Sequence, residues 1–469
     1  MAFFYSTSRQ KEEKFFPEVC ILGILMAATF LIDEQTLKDI QLRDFRGRTI
    51  FDFFDQAITE GGQDYFRDVF YTPLLNIEGI KARQTKIRRL EPVADVEFPF
   101  YRVIIKDLEK YIHASHSGAS QGLSFLDFLG VRSPIYYYRK RSILEASEFL
   151  ISSMKFYKEV NKHHPYEDMA EMIDLTEECL TQLYKGKVFN TDKLKVNIFN
   201  IDSLDRLIRY ELATKLKKLI RFFFEVDAYL AVAKISKSLG FCYPEVFPKN
   251  EIGEISMEGV YHIFHKAPVK NNVTLSNKKK IWFLTGANMA GKSSIIKTIS
   301  SALYLTHIGF PVPADGIKTD LIDGVFTSIN LQDNLELGYS HFYVEAIRLK
   351  EIVDQLPVDS NALIILDELF KGTNHSDASH AILDVMRNLA QVDGPYVIVS
   401  SHITELSQQL KDIPNIDFMR MKIEGDENGL PVFTYKIAPG IAEEKLGMWL
   451  LKQSGVFTSI DRLKGDSTK

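Results

Sequence analysis

The chain has 469 residues, enough for two or three domains that each bury a core. Its 45% hydrophobic and 25% charged residues are ordinary for a soluble globular protein, and a net charge of −5 excludes a wholesale basic surface but not a local one. Three widely separated cysteines, Cys20, Cys179 and Cys242, argue against both a disulfide framework and a zinc site, and fit a reducing compartment.

Near the N-terminus, "VCILGILMAATFLI" (Val19 to Ile32) is uncharged. It is shorter than the roughly 20 apolar residues that a membrane-crossing helix needs. Acidic residues stand among the lysines before it and no clear cleavage site follows, which also weakens a signal peptide. A buried helix is expected, and the chain reads as cytoplasmic with no membrane association.

From residue 35 to about 240 the pattern is helical. "SILEASEFLISSMKFYKEVNKHH" is one such stretch. Another runs from Arg206 to Gly240, where Leu207, Tyr210, Leu216, Ile220 and Phe223 recur at spacings near three and four, with cations between them. Gly240 is a plausible stop. No repeat of 20–50 residues is visible, so a solenoid is not expected.

The character changes at "GFCYPEVFPKNEIGEIS", where Pro244, Pro248 and Gly253 break the helical run. "KKIWFLT", "ALIILDE" and "PYVIVSSH" are short apolar runs bounded by turn signals and separated by helical stretches, as strands buried on both faces of an α/β sheet would be. Three regions are expected: an extension over 1–34, a helical domain over 35–249 and an α/β nucleotide-binding domain over 250–469.

Between the first run and a helix lies Gly286-Ala287-Asn288-Met289-Ala290-Gly291-Lys292-Ser293, which fits G-x-x-x-x-G-K-[ST]. Its glycines let backbone N–H groups turn inward to phosphate oxygens, Lys292 would place a cation by the β- and γ-phosphates, and Ser293 would offer a hydroxyl to Mg²⁺. The following helix, with Ile295, Ile299, Ala302 and Leu303 on one face, adds its N-terminal dipole. Asp367, ending "ALIILD", is then the expected metal carboxylate, and Glu368 the residue to orient or deprotonate water. His402, at the end of the next run, could reach the γ-phosphate.

"TGANMAGKSS", "LDELFKGTNHSDA" and "SSHITEL", in this order and spacing, resemble the ATPase domain of the MutS family of DNA mismatch-repair proteins. "DNLELGYSHFYVEA" (Asp333 to Ala346) is similar to the segment between that family's two Walker motifs, and "APGIAEEKLGMWLLKQSGV" extends the likeness. "LIDEQTLKDIQL" and the stretch from Thr49 to Leu90 resemble the start of its helical core, or lever, domain. The resemblance implies a helical core/lever domain followed by an ABC-type α/β P-loop ATPase domain, binding ATP and Mg²⁺. It adds Ser294 to the nucleotide-binding loop. It also implies a homodimer through the ATPase domain with composite sites, in which Ser340 reaches the partner's γ-phosphate and the loop of Asp377 lies nearby. Val269 and Tyr435 align loosely with positions around the base.

The sequence also departs from the family pattern. Only about 30 residues precede the core-like stretch, so the mismatch-reading and connector domains are not expected, and the clamp looks absent where "DKLKVNIFNIDSLDRLIRY" runs into the returning helix. Ala287 stands for the usual proline, Phe370-Lys371 for a Gly-Arg pair and His341 for threonine. Two functions remain open. One is a MutS-like ATP-hydrolysing switch in DNA repair or DNA-structure handling, touching duplex or branched DNA through Lys81, Arg83, Lys86, Arg88 and Arg89 or through "YYYRKR" (Tyr136 to Arg141), with a repair protein as a further partner. The other is a nucleotide-gated assembly factor acting on a protein without DNA contact.

Overall fold

The computed structural model describes residues 29–43, 47–100, 102–113, 134–163, 167–185, 194–329, 341–371, 373–425, 431–442 and 454–463. Most of the apolar Val19–Ile32 run therefore lies outside the described residues. Among those described, no helix is long and apolar enough to cross a membrane.

Up to Leu239 the chain is mainly helical, with Glu60–Phe70, Ile77–Leu90, Arg102–His113, Pro134–His163, Glu167–Tyr184 and Ala213–Leu239 as its longer helices. The "EGG" at the start of Glu60–Phe70 lets two helices approach closely. A Cβ on Gly61 would meet the Phe224 ring at 2.2 Å, and one on Gly62 would meet Asp227 Oδ2 at 2.3 Å. Buried Asp227 in turn accepts hydrogen bonds from the N–H groups of Ile58 and Thr59, at 3.0 and 2.7 Å, at the entry to that helix.

The stretch expected as one amphipathic helix from Arg206 to Gly240 is divided. Ile201–Arg206 passes into a π turn over Leu207–Glu211 before Ala213–Leu239 begins. The wider turn breaks the 3.6-residue register. Tyr210, expected on the apolar face, is therefore exposed, whereas Leu216, Ile220 and Phe223 are buried. Every residue from Val226 to Ala233 is buried, because helices Glu60–Phe70 and Ile77–Leu90 pack against this part. Gly240 closes the helix at φ +66°, a left-handed conformation open to glycine, and its N–H bonds Ser236 O at 2.8 Å.

Among the described residues ten strands follow: β1 (Glu245–Phe247), β2 (Glu254–Val260), β3 (Asn271–Ser276), β4 (Ile281–Thr285), β5 (Gly316–Asp320), β6 (Val325–Ser328), β7 (Leu363–Asp367), β8 (Tyr396–Ser401), β9 (Ile416–Gly425) and β10 (Pro431–Pro439). The larger sheet has the order β10-β9-β4-β8-β7-β6, parallel except for β10. The three apolar runs of the sequence are β4, β7 and β8, and all their residues but Asp367 are buried. A smaller sheet, β1-β5-β2-β3, was not expected, and it begins a few residues before 250.

The Lys292–His307 helix is buried nearly all round rather than on one face. Its far end is clasped by the helical part of the chain. Tyr304 Oη donates to Phe70 O at 2.7 Å, Leu74 N to His307 O at 2.8 Å, and Arg83 Nη1 to Ile308 O at 2.8 Å. One continuous apolar core accordingly runs from Phe54 and Phe70 through Phe223 to Leu284 and Leu303.

Candidate functional site

β8 lies between β4 and β7, and their C-terminal ends are level, with Thr285 opposite Ser401 and Ser400 opposite Asp367. The loop leaving β4 and the carboxylates leaving β7 are thereby set on one edge of the sheet, where ligands of open α/β sheets bind. Gly291, just before the helix, has φ +103°, and a Cβ there would press on Tyr435 Cδ1 at 3.2 Å. Met289, at φ +70°, projects its side chain into solvent, and Asn288 beside it is exposed, whereas Gly286 and Ala290 are buried and Ala287 is half-buried.

Lys292 is buried inside its own loop. Its Nζ donates to Gly286 O at 2.8 Å and Ala287 O at 3.3 Å, and it stands 3.5 Å from Glu368 Oε1. Ser293 Oγ donates to Asp367 Oδ2 at 2.6 Å, and Ser400 Oγ donates to Asp367 Oδ1. A hydroxyl and a carboxylate converging at a strand end form an all-oxygen donor set of the kind that suits Mg²⁺. Glu368 is half-buried, and its N–H donates to Ser400 O at 3.0 Å. Burial pushes its carboxyl up, but the hydrogen bond and charge of Lys371, joined by Lys292 and His402, bring it below the ordinary glutamate value. The carboxylate is therefore ionised at neutral pH, as acceptance of a proton requires. His402 itself is exposed, directly after β8.

The turn after β7 is strained. Glu368 and Phe370 have φ +52° and +64°, left-handed values that cost a non-glycine residue about 1 kcal/mol or more. Phe370, where the family resemblance expects glycine, is buried against Phe342 with ring centroids 4.8 Å apart. Apolar burial offsets the backbone cost. Asp377 is exposed in the first turn of His375–Leu389, its N–H donating to Asn374 Oδ1 at 2.9 Å. Ser340 lies outside the described residues.

A cleft of about 490 Å³ opens beside the loop, between the first turn of Lys292–His307, the β2–β3 connection and Tyr435. Val269 and Tyr435, which align only loosely by sequence, both line it. Asn271 ties their segments together. Its Nδ2 donates to Val269 O at 3.1 Å and Tyr435 O at 3.0 Å, while its Oδ1 accepts from Ile437 N at 2.8 Å. Sequence reading missed Asn271, His262 and His265, which also line the cleft. The "HIFH" spacing was the available signal. Burial, with the charges of His265 and Lys297, pushes His262 down to about 4, so it is neutral near pH 7.

Several of the basic positions considered for DNA contact are engaged within the chain. Arg83 bonds Ile308 O, Lys86 pairs with Glu225, and Arg88 stacks on Tyr243 at 4.5 Å. In "YYYRKR", buried Arg139 pairs with Asp202 at 3.0 Å and Arg141 with Glu145 at 2.7 Å, while Lys140 lies over Tyr136 at 5.9 Å. Tyr137 and Tyr138 remain exposed.

Residues 282–462 match the family model of MutS domain V. The DNA mismatch repair protein MutS of Ehrlichia ruminantium (strain Gardel) is 26% identical over 337 residues, covering 69% of this chain and 41% of that protein. MutS of Petrotoga mobilis is 22% identical over 516 residues, covering 90% and 63%. The mismatch repair protein MSH3 of Vanderwaltozyma polyspora is 30% identical over 242 residues, covering 50% and 23%. The matches thus take in less than two thirds of each of these relatives. Domain V of the MutS family is thus matched in the α/β part, and MutS proteins align with as much as 90% of the chain.

Proposed function

We propose that this chain is an ATP-binding and ATP-hydrolysing switch that works as a homodimer in DNA repair or DNA-structure handling. The observation that carries this reading is the meeting of Lys292, Ser293, Asp367 and Glu368 at the aligned ends of β4 and β7. Residues Gly286 to Ser294 cradle the phosphates, and Lys292 neutralises their charge. Ser293 and Asp367 hold Mg²⁺, which when bound neutralises charge developing on the phosphate oxygens. Glu368 accepts the proton of the attacking water, with His402 beside it. Ser340 and Asp377 serve the partner subunit's site, so that the two copies close only over nucleotide.

Replacing Lys292 with alanine tests this. ATP binding, followed by calorimetry, should be lost while the fold is retained. An unchanged affinity would overturn the reading, as would a protein that stays monomeric in sedimentation with saturating non-hydrolysable nucleotide.

The engagement of the basic residues favours a second reading, in which the switch acts on a protein partner and not on DNA. Salt-titrated binding to duplex, mismatched and branched DNA separates the two. Phosphate contact makes affinity fall steeply with salt. The first reading expects measurable binding at low salt that weakens in this way, and no binding even at low salt would select the second.

A further inference from the structure

The cleft beside the phosphate loop is lined by Gly291, Lys292 and Ser293 and also by Val269 and Tyr435. His265 lines it too, and its Nε2 stands 2.9 Å from Ser294 Oγ, in the first turn of the helix that opens with Lys292. The connection that carries His265 is held from two sides. Phe264 packs edge-on against Phe53 of the helical region with centroids 6.2 Å apart, and Lys270 pairs with Asp315 at 2.5 Å. His262 Nδ1 accepts the Phe264 N–H at 3.4 Å, and the His265 N–H returns to His262 O at 3.2 Å. The imidazole is thus presented to the cleft by an anchored turn.

A nucleotide whose β- and γ-phosphates lie by Lys292 and whose base lies toward Val269 and Tyr435 would bring its α-phosphate to the first helical turn, where Ser294 and His265 meet. We propose that His265 is a nucleotide-binding residue that donates from its imidazole to the α-phosphate, an inference that rests on the ATP-binding reading above. His265 comes from the β2–β3 connection and not from the phosphate loop or the segments around Asp367 and His402.

The test compares the full-length protein with His265→Ala and His265→Gln, reading dissociation constants for ATP and ADP with magnesium and with EDTA. A charge-assisted hydrogen bond to an anion is among the stronger ones, so alanine should weaken both nucleotides about tenfold. The same factor should appear for ATP and ADP, and with or without metal, because both carry the α-phosphate and the contact is not a metal ligand. Glutamine, which keeps an N–H donor, should recover most of the loss. Unchanged constants in His265→Ala would overturn the inference, as would a loss confined to ATP or to magnesium-containing buffer. If the wild-type protein binds neither nucleotide, the ATP-binding reading itself falls; if wild type and His265→Ala bind both equally well, that reading stands and this one does not.

Discussion

Glu368→Gln is expected to keep ATP binding and to lower steady-state hydrolysis by about 10²–10⁴-fold, the range typical for removal of a general base. Glutamine matches the shape of glutamate but cannot take a proton from water. Binding should not suffer, because Glu368 stands against the ammonium groups of Lys292 and Lys371. Neutralising it leaves both cations free for an anion, so ATP affinity should be equal or tighter. The closed dimer should then accumulate with ATP and Mg²⁺, visible as a persistent dimer in sedimentation. Turnover within threefold of wild type would move the proton acceptor elsewhere, with His402 the next group to test.

The parts of this site that the sequence reveals are those made by contiguous residues. The loop from Gly286 to Ser293 is one segment, and β4, β7 and β8 are recognisable because strands buried on both faces become nearly unbroken apolar runs. The smaller sheet is harder to read because its strands are short or alternate between buried and exposed, as β3 does, and its pairings join distant segments. The cleft depends on the same kind of distance, since Asn271 bonds Tyr435 across 164 residues. Local pattern cannot show whether Lys86 faces DNA or, 139 residues on, Glu225. Nor does anything in "DELFK" announce left-handed Glu368 and Phe370, because neither is a residue that favours that conformation. The π turn at Leu207–Glu211 is equally silent in the periodicity that it interrupts.

Arg348→Met is expected to destabilise the protein by about 3–5 kcal/mol, the usual cost of removing one partner from a buried ion pair. Arg348, in the His341–Gln355 helix, is buried and holds Asp33 with two bonds, Nη1 to Oδ2 at 2.6 Å and Nη2 to Oδ1 at 3.1 Å. It also donates to Thr327 O from Nη2 at 2.6 Å. Asp33 meanwhile caps the Glu34–Asp39 helix by accepting from Thr36 N at 2.8 Å, and Thr36 Oγ1 accepts from Thr327 N at 3.0 Å. Methionine fills similar space but leaves the carboxylate and the Thr327 carbonyl short of donors, so three segments lose their common tie. Burial pushes the Asp33 carboxyl up, but the hydrogen bond and charge of Arg348, with the Thr36 N–H, bring it below the ordinary aspartate value. A depressed carboxyl contributes its stability above its unfolded pKa of about 3.9 and loses it as pH falls through the folded value. The gap between wild type and Arg348→Met in chemical denaturation should therefore be full at pH 7 and shrink in acid. Adding Asp33→Asn to the variant should recover part of the loss at pH 7 by removing the stranded charge. A gap below about 1 kcal/mol at pH 7 would mean that the pair is solvated and the three segments are held by packing alone.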